Sequence, residues 1–135
     1  MGTDLEHFVY EVVKRLVAGD DPVLTILRVQ FNCASVVAIQ ETGAGFYASF
    51  SISEQAPNIP GNPSFNFGDV IAEMDELERG AGFILFVKNG RLATLEGYSY
   101  EEPWPKHLKR FDLKYLEERT DGSPPFRKPE GWPSL

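Results

Sequence analysis

Apolar residues in the first part of the chain recur at intervals of three and four positions, which is the spacing of one face of an α-helix. The first stripe runs from Leu5 to Val17 and is followed by Gly19, a residue type common at helix ends. The second stripe begins where Asp20 or Asp21 can cap a helix and Pro22 suits its first turn. The pattern predicts two consecutive helices, although the β-branched residues after Pro22 also permit a strand.

From Ala34 onwards the hydrophobic period changes to two, which is the period of a β-strand. The pair Asn89-Gly90 lies between two apolar runs. It favours a type I′ turn, because both central residues of that turn need a positive φ. The sequence therefore predicts a β-hairpin at this pair, and further strands at residues 36–41, 46–52, 70–75 and 111–115.

Helices first and strands afterwards predict an α+β domain. We expect two N-terminal helices packed on a mostly antiparallel meander sheet of five or six strands. This domain spans residues 1–119, and residues 120–135 form a proline-rich C-terminal tail. Residues 54–65 contain three prolines and are expected to form a long loop.

The hairpin turn also predicts which residues share a face of the sheet. A regular two-residue turn pairs Phe86 with Ala93 and Phe83 with Glu96. In that register both faces of the hairpin are apolar, so the hairpin lies in the middle of the sheet and is covered on both sides. The helices cover one side. The other side is covered by the proline-rich loop, by the tail or by a second subunit. If a second subunit covers it, the protein is a homodimer.

Composition narrows the class of protein. The 135 residues are 42% hydrophobic and 24% charged, as in ordinary globular domains. No run of about 18 apolar residues marks a membrane span, and the first residues do not resemble a signal peptide. Cys33 is the single cysteine and is expected to be a half-buried thiol. These features favour a cytoplasmic protein without an internal disulfide.

The charge of the chain is unevenly distributed. Residues 1–80 carry 12 acidic and 4 basic side chains, whereas residues 81–135 carry 8 and 9, for a formal net charge of −7. An acidic surface disfavours nucleic acids, whose phosphates attract basic surfaces. It raises solubility and suits a basic protein partner. We therefore expect a protein partner with a basic surface, and neither a nucleic acid nor a membrane.

The sequence contains two features that could indicate a cofactor or a metal site, and neither meets the requirements of such a site. The segment Gly43-x-Gly45-x-x-Ala48 formally matches a dinucleotide-binding pattern, but that pattern needs a helix after its glycines. Here the following residues alternate as a strand. His7 and His107 are too few for a zinc site. We expect no cofactor and no metal.

Glu96 is the one candidate for a catalytic group. The regular hairpin register places its carboxylate on the predicted core face with Phe83, where a charge needs a partner. A buried carboxyl group of this kind is a candidate acid or base in a pocket beside the sheet. The favoured alternative is a structural ion pair between Glu96 and Arg91, Lys109 or Arg110.

An aromatic patch follows the hairpin and is a candidate binding surface. Tyr98, Tyr100 and Trp104 stand close together in the sequence, next to Glu101 and Glu102. Tyr and Trp at the end of a strand either pack at the edge of the core or anchor a recognition surface. We expect these residues to bind a protein partner.

The densest acidic run of the chain is a second candidate binding surface. Asp69, Glu73 and Asp75 alternate onto one face of a predicted strand. A solvated strand face is the simplest interpretation. If the run binds a ligand, a basic protein is favoured over a divalent cation, because a metal site draws its ligands from several elements.

Three runs carry a resemblance: Gly80-Ala81-Gly82-Phe83-x-Leu85-Phe86-Val87, Asn89-Gly90-x-Leu92-x-x-Leu95-Glu96-Gly97-Tyr98-Ser99-Tyr100 and Trp104-Pro105. With them, the chain resembles a group of small uncharacterised bacterial proteins over about residues 5–116, which implies no established activity. As a class, small acidic α+β proteins are also similar to the immunity proteins of bacterial toxin systems. We therefore expect a non-enzymatic cytoplasmic protein-binding module, of the immunity-inhibitor type. The alternative is a small-ligand-binding or hydrolytic domain that uses Glu96.

Overall fold

A computed structural model describes residues 4–116 of the chain, so the predicted proline-rich tail lies outside the described residues. The elements are α1 (Asp4–Leu16), α2 (Pro22–Asn32), β1 (Ala34–Thr42), β2 (Gly45–Ile52), β3 (Phe65–Phe67), β4 (Val70–Met74), β5 (Leu77–Lys88), β6 (Arg91–Ser99) and β7 (Asp112–Tyr115). Two helices followed by an antiparallel sheet confirm the α+β class. No helix in this part of the chain has both the length and the apolar character that a membrane crossing requires.

The two helices form where the apolar stripes predict them. Asp21 caps α2, because its carboxylate accepts a hydrogen bond from the amide of Val23 at 2.9 Å, and Pro22 occupies the first turn. Each helix packs its apolar stripe on the sheet. The residues buried in this way include Phe8, Val9, Val12, Leu16, Leu24 and Leu27.

The seven strands form one sheet in the order β1-β2-β6-β5-β4-β7, with β3 beside β5. The strand count is therefore higher than the predicted five or six, and consecutive strands form a meander only in β1–β2 and in β4–β5–β6. β2 pairs with β6 rather than with the next strand, and β7 pairs with β4. The periodicity does not predict β3, because this strand has only three residues. β5 and β6 lie in the middle of the sheet, as the apolar hairpin indicates.

The hairpin between β5 and β6 has the predicted turn but a different register. The pair Asn89-Gly90 has φ angles of 51° and 77°, as a type I′ turn requires. A bulge close to the turn then shifts the pairing by one residue, so that Phe86 pairs with Thr94 rather than with Ala93. Because side chains alternate along a strand, this shift moves Glu96 from the predicted core face to the opposite face.

The two faces of the sheet differ in chemistry, so the prediction that both faces of the hairpin are apolar is wrong for β6, although Ile84 and Phe86 of β5 share a face as predicted. The helices cover one face, whose buried side chains include Phe46, Phe83, Leu85 and Leu95. We name the other side, which neither of the two described helices covers, the open face. The register places on it the side chains of Gln40, Tyr47, Ile71, Ile84, Phe86, Thr94, Glu96 and Tyr98. The bulge in β6 thus replaces an apolar surface by one that is aromatic and polar.

The proline-rich loop between β2 and β3 packs on the hairpin turn. Ile59 in this loop is fully buried, and its amide donates to the carbonyl of Gly90 at 3.0 Å. The buried side chain of Gln30 joins loop and turn to α2. Its Nε2 donates to the carbonyls of Pro57 and Gly90, each at 2.8 Å, and its Oε1 accepts from the amide of Leu92 at 2.9 Å. These contacts lie at one end of the sheet rather than on the open face.

Candidate functional site

Tyr47 and Glu96 form the centre of the open face. They lie opposite each other on β2 and β6, and the Tyr47 hydroxyl donates a hydrogen bond to Oε2 of Glu96 at 3.1 Å. Ile84 lies opposite Glu96 on β5. Within residues 4–116, no basic side chain forms an ion pair with the Glu96 carboxylate. This centre therefore combines an aromatic ring, an apolar side chain and a carboxylate that has a hydroxyl partner.

The predicted ion pair between Glu96 and Arg91, Lys109 or Arg110 does not form. The Arg91 guanidinium instead donates to carbonyls of the proline-rich loop, among them that of Ala56 at 3.1 Å. Since that loop contacts the end of the sheet, it does not enclose Glu96. The predicted acid or base at Glu96, and with it the small-ligand or hydrolytic alternative, stays a prediction.

Tyr98 and Tyr100 form a second part of the open face. Tyr98 lies opposite Gly82 on β5, and the two tyrosine ring centroids are 5.5 Å apart with the rings edge to face. A Cβ atom on Gly82 would lie only 2.6 Å from the Tyr98 hydroxyl oxygen and 2.8 Å from that of Tyr100. Because Gly82 has no side chain, there is space above β5 for the hydroxyl groups of both tyrosines.

The tyrosines leave an exposed aromatic surface beside a shallow concavity. Tyr47 is 40% exposed and Tyr100 is 39% exposed. The concavity has a volume of about 580 Å³, and Ile71, Glu73 and Arg79 line it together with Tyr100. The open face therefore offers aromatic, acidic and basic groups around a depression that can receive a side chain.

The surroundings raise the pKa of two of these tyrosines. For Tyr47 the main cause is the hydrogen bond to Glu96, followed by the negative charge of that carboxylate. For Tyr98 the main cause is burial, followed by a hydrogen bond with Tyr100. All of these interactions favour the neutral phenol. Both hydroxyls are therefore neutral hydrogen-bonding groups at physiological pH.

Replacing Tyr100 by phenylalanine is expected to lower the pKa of Tyr98 towards the ordinary value of 10.0, because the variant lacks the hydroxyl that bonds the neutral phenol. An NMR titration of ring-labelled tyrosine measures this change. Tyr47→Phe is the control and is expected to leave the pKa of Tyr98 unchanged. An identical Tyr98 titration in wild type and Tyr100→Phe contradicts the interpretation.

The raised pKa of Tyr98 also sets the direction of a pH effect on stability. Its folded-state value lies above the ordinary value of 10.0. Above about pH 10 the folded state therefore binds more protons than the unfolded state. The contribution of Tyr98 to stability is complete below that pH and is lost as the pH rises through the folded-state pKa.

Trp104 does not belong to the surface that Tyr98 and Tyr100 form. It is only 8% exposed, and its ring centroid lies 5.3 Å from that of Phe46 and 6.1 Å from that of Phe8. The chain after β6 thus carries Trp104 to the covered face, beneath α1. The prediction of one aromatic patch is wrong for this residue, which packs in the core.

The two neighbouring acidic residues have different surroundings. The carboxylate of Glu102 accepts hydrogen bonds from the amides of Glu78 at 3.0 Å and Arg79 at 3.2 Å, so it stabilises the start of β5. The side chain of Glu101 is 88% exposed and lies 3.7 Å from the Arg79 guanidinium. Of the two, Glu101 is the one whose carboxylate is accessible to a partner.

Asp69, Glu73 and Asp75 do not share one strand face. Only Glu73 lies within β4, and its carboxylate forms an ion pair with Lys114 at 3.1 Å. Asp69 precedes the strand, and Asp75 lies in the turn to β5 because β4 ends at Met74. A binding role for them stays a prediction. In the described part of the chain no three acidic, histidine or cysteine side chains are placed to hold a metal ion.

Tyr47 is a residue of the open face that sequence reasoning does not single out. Alternation predicts the strand that contains it, but local periodicity holds no information about the pairing of β2 with β6. Only that pairing brings Tyr47 beside Glu96. Cys33, which is expected to be half-buried, is exposed at the end of α2.

Comparison of the chain with protein-family models, with curated proteins and with solved structures found no match. The resemblance to a group of small bacterial proteins therefore stays a prediction.

Proposed function

We propose that the chain is a protein-binding module without catalytic activity, and that its open face binds a basic surface of the partner. The observation that supports this proposal most is the cluster of Tyr47, Glu96, Tyr98 and Tyr100 outside the core. A sheet face that only contacts water typically carries polar side chains. Here large aromatic rings surround a carboxylate instead.

This combination of side chains suits recognition of a basic protein. Tyrosine contributes a large contact area at a low cost in conformational entropy and keeps a polar hydroxyl. Glu96 can accept a Lys or Arg of the partner, and an arginine can also stack on the ring of Tyr47. The net charge of −7 steers a basic partner towards the chain.

Within this class we favour an inhibitor of the immunity type that acts in the cytoplasm. The negative charge, the small α+β domain and the class-level resemblance described above support this finer proposal. In this role the chain neutralises a basic toxin domain, and Glu96 replaces a negatively charged group that the toxin would otherwise bind.

Replacing Tyr47 and Tyr100 together by alanine is expected to weaken partner binding about 30-fold or more, because an anchoring tyrosine contributes about 2 kcal/mol at the centre of an interface. The partner is isolated from a lysate of the native organism with the wild-type chain and is then purified. Titration calorimetry with the purified partner gives both dissociation constants. Since both side chains lie outside the core, the variant is expected to keep its fold.

Val29→Ala is the matched control, because Val29 is 42% exposed on α2, on the helical side of the molecule. If the double variant binds as tightly as Val29→Ala, the open face is not the binding surface. If the isolated wild type is a dimer that the double variant dissociates, the face is a contact between two copies, and the proposed heterologous partner is wrong.

A further inference from the structure

β1 lies at one edge of the sheet and is paired on one side only. Its partner is β2, and no other strand of the described residues pairs with it. β1 contains no proline and only one charged residue, Glu41, although proline and charged side chains are the residue types with which natural proteins protect such edges. A bulge at Val37, which is 62% exposed, interrupts the edge. Residues 38–42 are therefore a regular stretch of strand that pairs with β2 on one side and with no other strand of the described residues on its outer side.

The turn after β1 determines which backbone groups face outward. The two-residue turn Gly43-Ala44 makes Thr42 and Gly45 a hydrogen-bonded pair. Such pairs alternate with pairs whose backbone groups point away from the neighbouring strand. The N–H and C=O groups of Ile39 and Glu41 therefore point away from β2, where an added strand can bond them.

A concavity of about 610 Å³ adjoins this stretch of β1. Ile39 contributes to its wall, together with Leu5 from α1 and with Trp104 and Leu108 from the segment after β6. Because these side chains are apolar, the wall can pack against the aliphatic part of a long side chain.

The charges around the concavity are mainly negative. Three carboxylates line it: those of Asp4 and Glu6 at the start of α1 and that of Glu41 on β1. The basic residues of the lining are one lysine, Lys106, and one histidine, His107. A basic side chain that enters the concavity therefore meets an excess of negative charge. The apolar wall and the acidic rim together fit the methylene stem and the charged end of a lysine or an arginine.

We propose that residues 38–42 of β1 pair with an extended segment of a partner protein, and that a lysine or arginine of this segment occupies the concavity. The backbone of Ile39 and Glu41 supplies the hydrogen bonds, as in other cases of strand addition. The side chain opposite them gives selectivity, because it enters the concavity. The inference rests on the proposed protein-binding function but assigns it a second surface, separate from the open face.

A second copy of the chain fits this edge less well. β1 contains no lysine or arginine, so a β1-to-β1 contact brings no cation from that strand to the concavity. Each copy also has a formal net charge of −7, which opposes their approach. A basic segment of another protein satisfies both the edge and the concavity.

The test uses three synthetic peptides of alternating threonine and valine that are identical except for a central lysine, glutamine or glutamate. We expect the lysine peptide to bind saturably and to slow hydrogen exchange at the amides of Ile39 and Glu41, measured by NMR. The glutamate peptide is expected to bind at least about tenfold more weakly, with the glutamine peptide in between.

Two variants separate the contribution of the backbone from that of the charge. Glu41→Pro removes an outward N–H without removing a bond to β2 and is expected to abolish binding of all three peptides. Glu41→Gln keeps the N–H, so it is expected to reduce mainly the difference between the lysine and glutamate peptides. Glu54→Gln, an exposed change in the proline-rich loop, is the matched control and keeps wild-type binding.

Four results overturn the inference: no saturable binding, equal affinities for the lysine and glutamate peptides, protection of amides away from β1, or a dimer whose β1 amides are protected without peptide. None of these results bears on the Tyr47 and Tyr100 double variant. If that variant loses its partner while the peptides fail to bind, the proposed function stands and strand addition is wrong.

Discussion

Gly45→Ala is expected to lower the free energy of unfolding by about 3 kcal/mol or more, one of the two largest effects that we predict. A Cβ atom at this position would lie 1.9 Å from the carbonyl oxygen of Gly97 on the neighbouring strand. The obstacle is backbone, so no side-chain rotation relieves it. β2 and β6 must separate to accommodate the methyl group, and their separation weakens the pairing that holds β1 and β2 on the sheet.

Gly43→Ala is the matched control for this prediction. Gly43 lies two positions earlier, and a Cβ atom there would have no atom within 4 Å. The same chemical change is therefore expected to alter the stability by less than about 0.5 kcal/mol. Urea denaturation followed by circular dichroism gives both values. Equal stabilities of the two variants would show that β2 and β6 are less close at Gly45 than described.

The second large effect is expected for Gln30→Leu, which keeps the size of the side chain and removes its hydrogen bonds. The amide of Leu92 and the carbonyl of Pro57 lose a partner, whereas the carbonyl of Gly90 retains the amide of Ile59. A buried polar group without a partner costs about 1–3 kcal/mol. We expect a loss of about 3 kcal/mol in the free energy of unfolding, measured by urea denaturation.

Gln55→Leu is the control for this second prediction, because it makes the same substitution at an exposed position in the proline-rich loop. Its expected effect is below about 0.5 kcal/mol. Amide exchange adds a local test, since Gln30→Leu is expected to speed exchange at Leu92 and Ile59 more than elsewhere. Uniform acceleration across the sheet would mean that Gln30 does not specifically join the loop to the hairpin turn.

The elements that depend on local sequence are predictable in this chain. The helices follow from the spacing of their apolar residues and from Asp21 and Pro22, whose effects act within one turn. The hairpin turn follows from the positive φ angles that Asn89-Gly90 adopts readily. Each of these signals lies within a few residues of the structure that it determines.

The register of β6 is not predictable from the same signals. In a bulge one residue is left out of the pairing between two strands. Its position therefore depends on the sequences of both strands and on the side chains that pack against them. The bulge near Ala93 buries Leu95 beside Leu85 and brings Glu96 to the open face. An assumption of regular pairing reverses both faces from that point, and it therefore misplaces Glu96.

Long-range packing explains the remaining differences. The surroundings of Trp104 depend on Phe8 and Phe46, which lie far away in the sequence. The role of Gln30 depends on carbonyls of the proline-rich loop and the hairpin turn. Neither residue type indicates such a partner by itself, since Trp suits core and surface alike and Gln is usually exposed.

The separation between the covered face and the open face has an evolutionary consequence. Residues such as Phe83 and Leu95 hold the fold together, whereas Tyr47 and Tyr100 belong to the same sheet but lie outside the core. Mutations can therefore accumulate at the exposed positions without unfolding the chain. Selection for a stable fold therefore acts on the covered face, whereas substitutions at Tyr47 and Tyr100 are compatible with an unchanged architecture.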